Sequence, residues 1–243
     1  MTLLAPLPPP RALICDGRSH IGLIRPENED AFGLCPDRAI AVVADGMGGH
    51  QFGRQVADCT VGAVCRITLA ADLAGSIEHA QEVLARTNRE VWHRSQEMRT
   101  TMGATFVVAI VDRSRVGILW AGDSRAYLLR DGNLYCLTRD HGAVQQLMDS
   151  GHINMFEVFE HPMRHVVTRA LGVAAELRVD TGHHAITTGD ILLLSTDGLH
   201  GAVSDEDIRR CLNRHGLDAL DQLIGLALQA GGRDNVTVVL MRF

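Results

Sequence analysis

Four aspartates in this 243-residue chain stand at the ends of apolar runs, where an uncompensated charge is costly. They occur in AVVADGMGGH (Asp45), ILWAGDSR (Asp123), ILLLSTDGL (Asp197) and GGRDNVTVVL, where Asp234 precedes its run. Ionised carboxylates at the rim of a buried sheet need a compensating charge, and a divalent cation supplies one. Oxygen-only donors favour magnesium or manganese over zinc. The pattern points to metal-dependent chemistry on phosphate.

A hydrophobic fraction of 46% is enough for a sizeable core. The net charge of −6 speaks against a nucleic-acid or anionic-membrane surface, although bound cations would reverse the sign locally. Six cysteines (Cys15, Cys35, Cys59, Cys65, Cys136, Cys211) form no C-x-x-C pair and are expected to be buried free thiols. The segment MTLLAPLPPPRALIC lacks the basic start and unbroken apolar core of a secretion signal. No apolar run approaches the roughly eighteen residues of a membrane span. A cytoplasmic monomer is expected, with an extended leader over 1–12 marked by Pro8 to Pro10, and one domain over 13–243.

Ala39–Ala44 reads as a buried strand followed by a glycine-rich turn. A helix follows, with Ala57, Val61, Val64 and Ile67 at three- and four-residue spacing. A second, more charged helix covers Ser76 to Arg99. Strands are predicted at Thr105–Val111, Val116–Ala121, Ala126–Leu129 and Leu134–Leu137, and the short polar links DRSR and RDGN suggest hairpins. Residues 141–165 look irregular or helical. A strand at Ile191–Ser195, helices around 205–214 and 217–230, and a strand at Val236–Met241 complete the chain. Strands interleaved with paired helices imply a layered α+β fold.

Asp-Gly is also the preferred two-residue hairpin turn. Asp131-Gly132, between YLLR and NLYCL, fits that role. Asp45-Gly46 and Asp197-Gly198 do not, because each follows an apolar strand and leads to a helix. In the second case Ser204 is a plausible N-cap, with Asp207 at the third helical position. No single aspartate would define a site; the four with NED at 28–30 do.

These segments resemble the bacterial branch of the type 2C metal-dependent protein serine/threonine phosphatases. The motifs are GLIRPENED (22–30), AVVADGMGGH (41–50), MGAT (102–105), AGDSR (121–125), TRDH (138–141), VTRALG (167–172), LLLSTDGL (192–199) and GGRDNVTVVL (231–240). The resemblance implies a four-layer αββα sandwich: two antiparallel sheets flanked by helices, with two Mn²⁺ or Mg²⁺ ions at one end. Asp45 would bridge the ions, the Gly46 carbonyl would add a ligand to one, and Asp197 and Asp234 would complete the other. Glu29 and Asp30 match the acidic pair that holds waters on the ions. Arg25 matches the arginine that grips the substrate phosphate. A third, weaker ion would lie near Asp123 and Asp197.

The residue types suit that chemistry. Paired cations lower the pKa of a shared water, and an arginine fork binds phosphate oxygens with a geometry that lysine lacks. The bland alternative for Arg25 is a surface arginine paired with Glu27 or Glu29. Asn28 and Asn235 are expected to hold loops by hydrogen bonding, and Ser124 and Arg125 to orient the turn around Asp123.

The chain departs from the family pattern at His20 and Arg54, where acidic residues are common. Neither position is assigned to an ion, so altered tuning is expected. Met47 stands where eukaryotic members place a histidine proposed as general acid; His50 is nearby but not equivalent, and the acid is unassigned. His141, His152, His161 and His165 match the mobile flap region, where surface positions are expected and substrate choice is influenced. The implied partners are phosphorylated proteins and a cognate serine/threonine kinase. Two alternatives are a catalytically silent pseudophosphatase and a switch phosphatase dedicated to one regulatory phosphoprotein.

Overall fold

Alternating side chains along one run, residues 40–45, decide the layering of the molecule. Ile40, Val42 and Ala44 face a cluster that contains Val56, Ala57, Leu73 and Leu84. Ala41 and Val43 face the opposite way, into a cluster with Leu192, Leu194, Val239 and Met241. A computed structural model of the chain describes residues 14–48, 51–154, 157 and 161–243. The leader over 1–12 and His50 lie outside the described residues.

In chain order the strands are β1 (Ile14–His20), β2 (Asp30–Cys35), β3 (Ile40–Met47), β4 (Gly103–Asp112), β5 (Arg115–Ala121), β6 (Arg125–Arg130), β7 (Asn133–Cys136), β8 (Asp180–Ala185), β9 (Ile191–Ser195) and β10 (Val236–Arg242). The helices are α1 (Gln51–Cys65), α2 (Leu73–Met98), α3 (Ala143–Asp149), α4 (Asp197–His200), α5 (Asp205–His215) and α6 (Ala219–Gln229). One sheet has the order β2-β3-β4-β5-β8 and the other β1-β10-β9-β6-β7. Every neighbouring pair is antiparallel.

Helices α1 and α2 cover the outer face of the first sheet. The helices α4 to α6 cover the outer face of the second, where Leu199, Ile208, Leu220 and Leu223 meet Leu193, Val238 and Leu240. The inner faces meet each other. The molecule is thus the α+β, αββα sandwich expected from the sequence. Among the described residues no helix is long and apolar enough to cross a membrane.

Local chemistry accounts for the boundaries. Asp72 caps α2 by accepting the Gly75 N–H at 2.8 Å. Ser204 caps α5 through the Asp207 N–H at 3.1 Å, as its sequence predicts. The β6–β7 turn has Asp131 at φ +50° and Gly132 at φ +76°, the pair of positive angles that a tight hairpin requires.

Three expectations need correction. The strand over 39–44 continues through Asp45 and Gly46, which pair with Thr105 and Ala104, so no turn begins there. Strands β1, β2 and β8 were not anticipated. Of the six cysteines only Cys211 is buried; Cys59 and Cys136 are exposed, and all six are free thiols.

Candidate active site

Antiparallel pairing brings the ends of distant segments to one rim of the sandwich. β3, β5 and β9 end there, while β2, β4, β6 and β10 begin there. Asp45 lies on the inner face of β3, in line with Ala41 and Val43, and is flanked in register by Asp30 of β2 and Thr105 of β4. Asp123 sits in the link that carries the chain from β5 in one sheet to β6 in the other. Asp197 opens α4 immediately after β9, and Asp234 precedes β10. Five aspartates from five parts of the chain therefore share one end of the molecule.

Burial and crowding raise the proton affinities of Asp30, Asp45, Asp123 and Asp197. Burial, with the Asp30, Asp197, Asp123 and Asp234 charges, holds Asp45 well above the ordinary carboxylate range. Burial, opposed by hydroxyl hydrogen bonds from Thr237 and Thr196, brings Asp30 up to about 7. Burial with Asp197 and Asp140 raises Asp123 to about 8. Burial with Asp234 raises Asp197 to about 6. Burial also raises Glu29, against the pull of Arg25.

Asp30 is 1% exposed, and its Oδ2 accepts a hydrogen bond from Thr196 Oγ1 at 2.9 Å. Its Oδ1 has no partner. The same is true of Asp123 Oδ1, Asp197 Oδ1 and Glu29 Oε1, all removed from water. Buried acceptors left empty are costly, and a cation would satisfy them. The donors are all oxygens, which suits Mg²⁺ or Mn²⁺. Among the described residues no group of three or more His, Cys, Asp or Glu side chains is gathered tightly enough to hold an ion by itself. The carboxylates share the rim without closing into such a cage.

The rim is braced by neutral and cationic donors. Asn235 accepts the Glu29 N–H at 2.8 Å and donates to the Ile21 and Glu27 carbonyls at 2.8 and 3.0 Å. Asn28 donates to Ser19 Oγ at 2.9 Å and accepts the Asp30 N–H at 3.1 Å. Both asparagines hold loops, as expected. The Gly46 N–H donates to the Glu29 carbonyl at 3.2 Å. Ser124 Oγ lies 2.8 Å from Thr105 Oγ1, and Arg125 grips Asp140 with two bonds of 2.9 and 2.7 Å.

The supporting roles of several residues were not identified from the sequence. Arg54 donates to the Asp30 carbonyl at 2.9 Å while also pairing with Asp58. Thr196 Oγ1 accepts the Thr237 N–H at 3.0 Å, joining the two strands that carry Asp197 and Asp234. His200 is held neutral by burial and by Arg125.

His141 differs from its expected surface position. It is 9% exposed, and its ring stacks on Trp120 with centroids 6.2 Å apart. Its Nδ1 accepts the Gly122 N–H at 3.1 Å, and its Nε2 lies 3.2 Å from Asp180 Oδ2. It therefore holds the link that carries Asp123. His152 and His165 remain exposed and His161 half-buried.

Arg25 reaches the cluster from the exposed segment before β2. Its Nη2 donates to Asp234 Oδ2 at 2.7 Å, so its partner is neither Glu27 nor Glu29. His20 accepts the Gly22 N–H through Nδ1 at 2.9 Å and so fixes the start of that segment.

Comparison with known proteins adds relatives to this geometry. The family described as Protein phosphatase 2C matches residues 16–225. The serine/threonine phosphatase stp of Listeria monocytogenes serotype 4b (strain F2365) is 36% identical over 235 residues, covering 92% of this chain and 93% of that protein. PppA, described as a key regulatory component of the T6SS in Pseudomonas aeruginosa, superposes with a TM-score of 0.88 at 35% identity, over 95% of this chain and 97% of its own. The catalytic domain of the serine/threonine protein phosphatase PstP, solved with two manganese ions, gives 0.83 at 33% identity, over 95% and 97%.

Proposed function

This chain belongs to the protein phosphatase 2C family, and from that premise we propose that it hydrolyses phosphoserine and phosphothreonine in proteins with the help of Mn²⁺ or Mg²⁺. The observation that carries the reading is the gathering of Asp30, Asp45, Asp123, Asp197 and Asp234 at one rim. Burial and neighbouring carboxylates raise the proton affinities of Asp30, Asp45, Asp123 and Asp197, and Asp30, Asp123 and Asp197 each have an unpartnered buried oxygen.

In this reading Asp45, the Gly46 carbonyl, Asp197 and Asp234 would hold two core ions. Glu29 and Asp30 would hold waters around the ions, and Asp123 with Asp197 would serve a weaker third ion. When bound, the paired cations supply a hydroxide nucleophile near neutral pH. Arg25 turns from Asp234 to the phosphate oxygens and stabilises the charge that develops on them. Thr196, Thr237 and Arg54 keep Asp30 in place while the acidic rim loads.

The substrate is a phosphoprotein and the opposing enzyme a serine/threonine kinase. We read residues 13–243 as one catalytic domain, cytoplasmic and monomeric. The test is turnover of p-nitrophenyl phosphate and of a phosphothreonine peptide with Mn²⁺, with and without EDTA. Undiminished turnover in chelator would reject the two-ion reading.

A further inference from the structure

Leu23 and Ile24 are the two most exposed large hydrophobic side chains among the described residues, at 63% and 69%, and Ile21 beside them is 37% exposed. A lone exposed leucine is unremarkable in any protein. Here three apolar side chains fall within four positions and end directly at Arg25, the residue that reaches the acidic rim.

The segment that carries them is firmly held. Gly22 has φ +84°, and a Cβ there would stand 2.3 Å from the Asp234 carbonyl oxygen, so the backbone lies against the start of β10. The Leu23 N–H donates to the Gly232 carbonyl at 2.7 Å. Asn235 holds the Ile21 carbonyl, and His20 holds the Gly22 N–H. Leu23 and Ile24 thus stand in water on a backbone already ordered by folding. An apolar surface carried on an ordered backbone binds a partner with little further cost of ordering that backbone.

We propose that Leu23 and Ile24 form a contact surface for an apolar side chain next to the phosphorylated residue of the substrate, so that the enzyme prefers phosphoserine or phosphothreonine with a hydrophobic neighbour. The inference rests on the phosphoprotein reading above. Its occupant is chosen by position: Leu23 and Ile24 directly precede Arg25, whose guanidinium reaches the acidic rim, so a substrate held there by its phosphate has this apolar step beside it.

The experiment uses phosphothreonine peptides that differ only at the two positions on either side of the phosphoresidue, carrying Ala, Leu, Glu or Lys. Each kcat/KM is divided by that for p-nitrophenyl phosphate in the same preparation, which removes differences in metal loading or folded fraction. We expect leucine at one flanking position to raise the ratio about tenfold over alanine, chiefly through KM. Leu23→Ser with Ile24→Ser should flatten that preference. Ile24→Lys should redirect it toward glutamate, a gain that a damaged fold cannot imitate. A wild-type enzyme indifferent to apolar neighbours, or a double variant that keeps the preference, would overturn the contact surface while leaving the phosphatase reading intact. Turnover of p-nitrophenyl phosphate with none of any phosphopeptide would instead remove the phosphoprotein reading, and this inference with it.

Discussion

Arg25 donates to Asp234 from a side chain about half open to water. Exposed pairs of this kind contribute about 0–1 kcal/mol, so the guanidinium can leave Asp234 for a phosphate at little cost. A charge-assisted bond to substrate is worth about 1.5–3 kcal/mol. Arg25→Ala should therefore raise KM by about 10- to 100-fold with a smaller fall in kcat, and Arg25→Lys should fall between, as steady-state kinetics would report. Asp45→Ala should abolish both turnover and Mn²⁺ binding by calorimetry. The same change removes one of five mutually repelling carboxylates, so the melting temperature of the metal-free protein should rise. A metal-free variant less stable than wild type would show that Asp45 serves the fold as well. Asp45, Asp123, Asp197 and Asp234 were legible because each stands at the end of an apolar run, and Asp30 because it closes the NED motif. The contacts of Thr196, Thr237, Arg54 and His141 were not, because their partners lie far away in sequence and only the folded sandwich brings them together.

Asn235, immediately before β10, joins that strand's start to the segment before β2 at three points: the Ile21 and Glu27 carbonyls and the Glu29 N–H. It is 6% exposed, so Asn235→Ala would leave one donor and two acceptors with little access to water. We expect a loss of about 2–4 kcal/mol in urea unfolding, with weakened activity because Glu29 and Arg25 flank the released segment. A loss below about 0.5 kcal/mol would mean that water replaces these bonds. The same scale explains which strands the sequence concealed. The unanticipated β1, β2 and β8 are all edge strands, at the ends of the orders β1-β10-β9-β6-β7 and β2-β3-β4-β5-β8. Edge strands carry polar and small residues, and ICDGRSH and DTGHHA lack the apolar run that marks a central strand. The remaining edge, β7, was legible because its Asp-Gly turn announces a hairpin. Likewise the true extent of β3 was hidden by Gly46 and Gly48, although pairing with β4 carries the strand to Met47.

Across the whole molecule, the acidic rim makes stability depend on pH and metal in opposite directions. Asp30 at about 7, Asp123 at about 8 and Asp45 well above its ordinary value all bind protons more tightly folded than unfolded, where the value is near 3.8. Protons therefore favour the folded form, and the metal-free protein loses stability as pH rises toward 8. The lowered values of His141 and His200 act in the opposite sense, because these rings take up protons more readily when unfolded. Their effect is spent above the ordinary histidine value of 6.5, which leaves the carboxylates to set the slope between about pH 6.5 and 8. One group titrating over one unit is worth about 1.4 kcal/mol, and 1 kcal/mol shifts the melting temperature of a chain this size by about 2–4 °C. The EDTA-treated protein should therefore melt several degrees lower at pH 8 than at pH 6.5. Mn²⁺ requires the deprotonated carboxylates, so its stabilising effect should grow over the same interval. A melting temperature in EDTA that stays level or climbs from pH 6.5 to 8 would show that the aspartates do not burden one another at this rim, and the reason for cations to gather there would be gone.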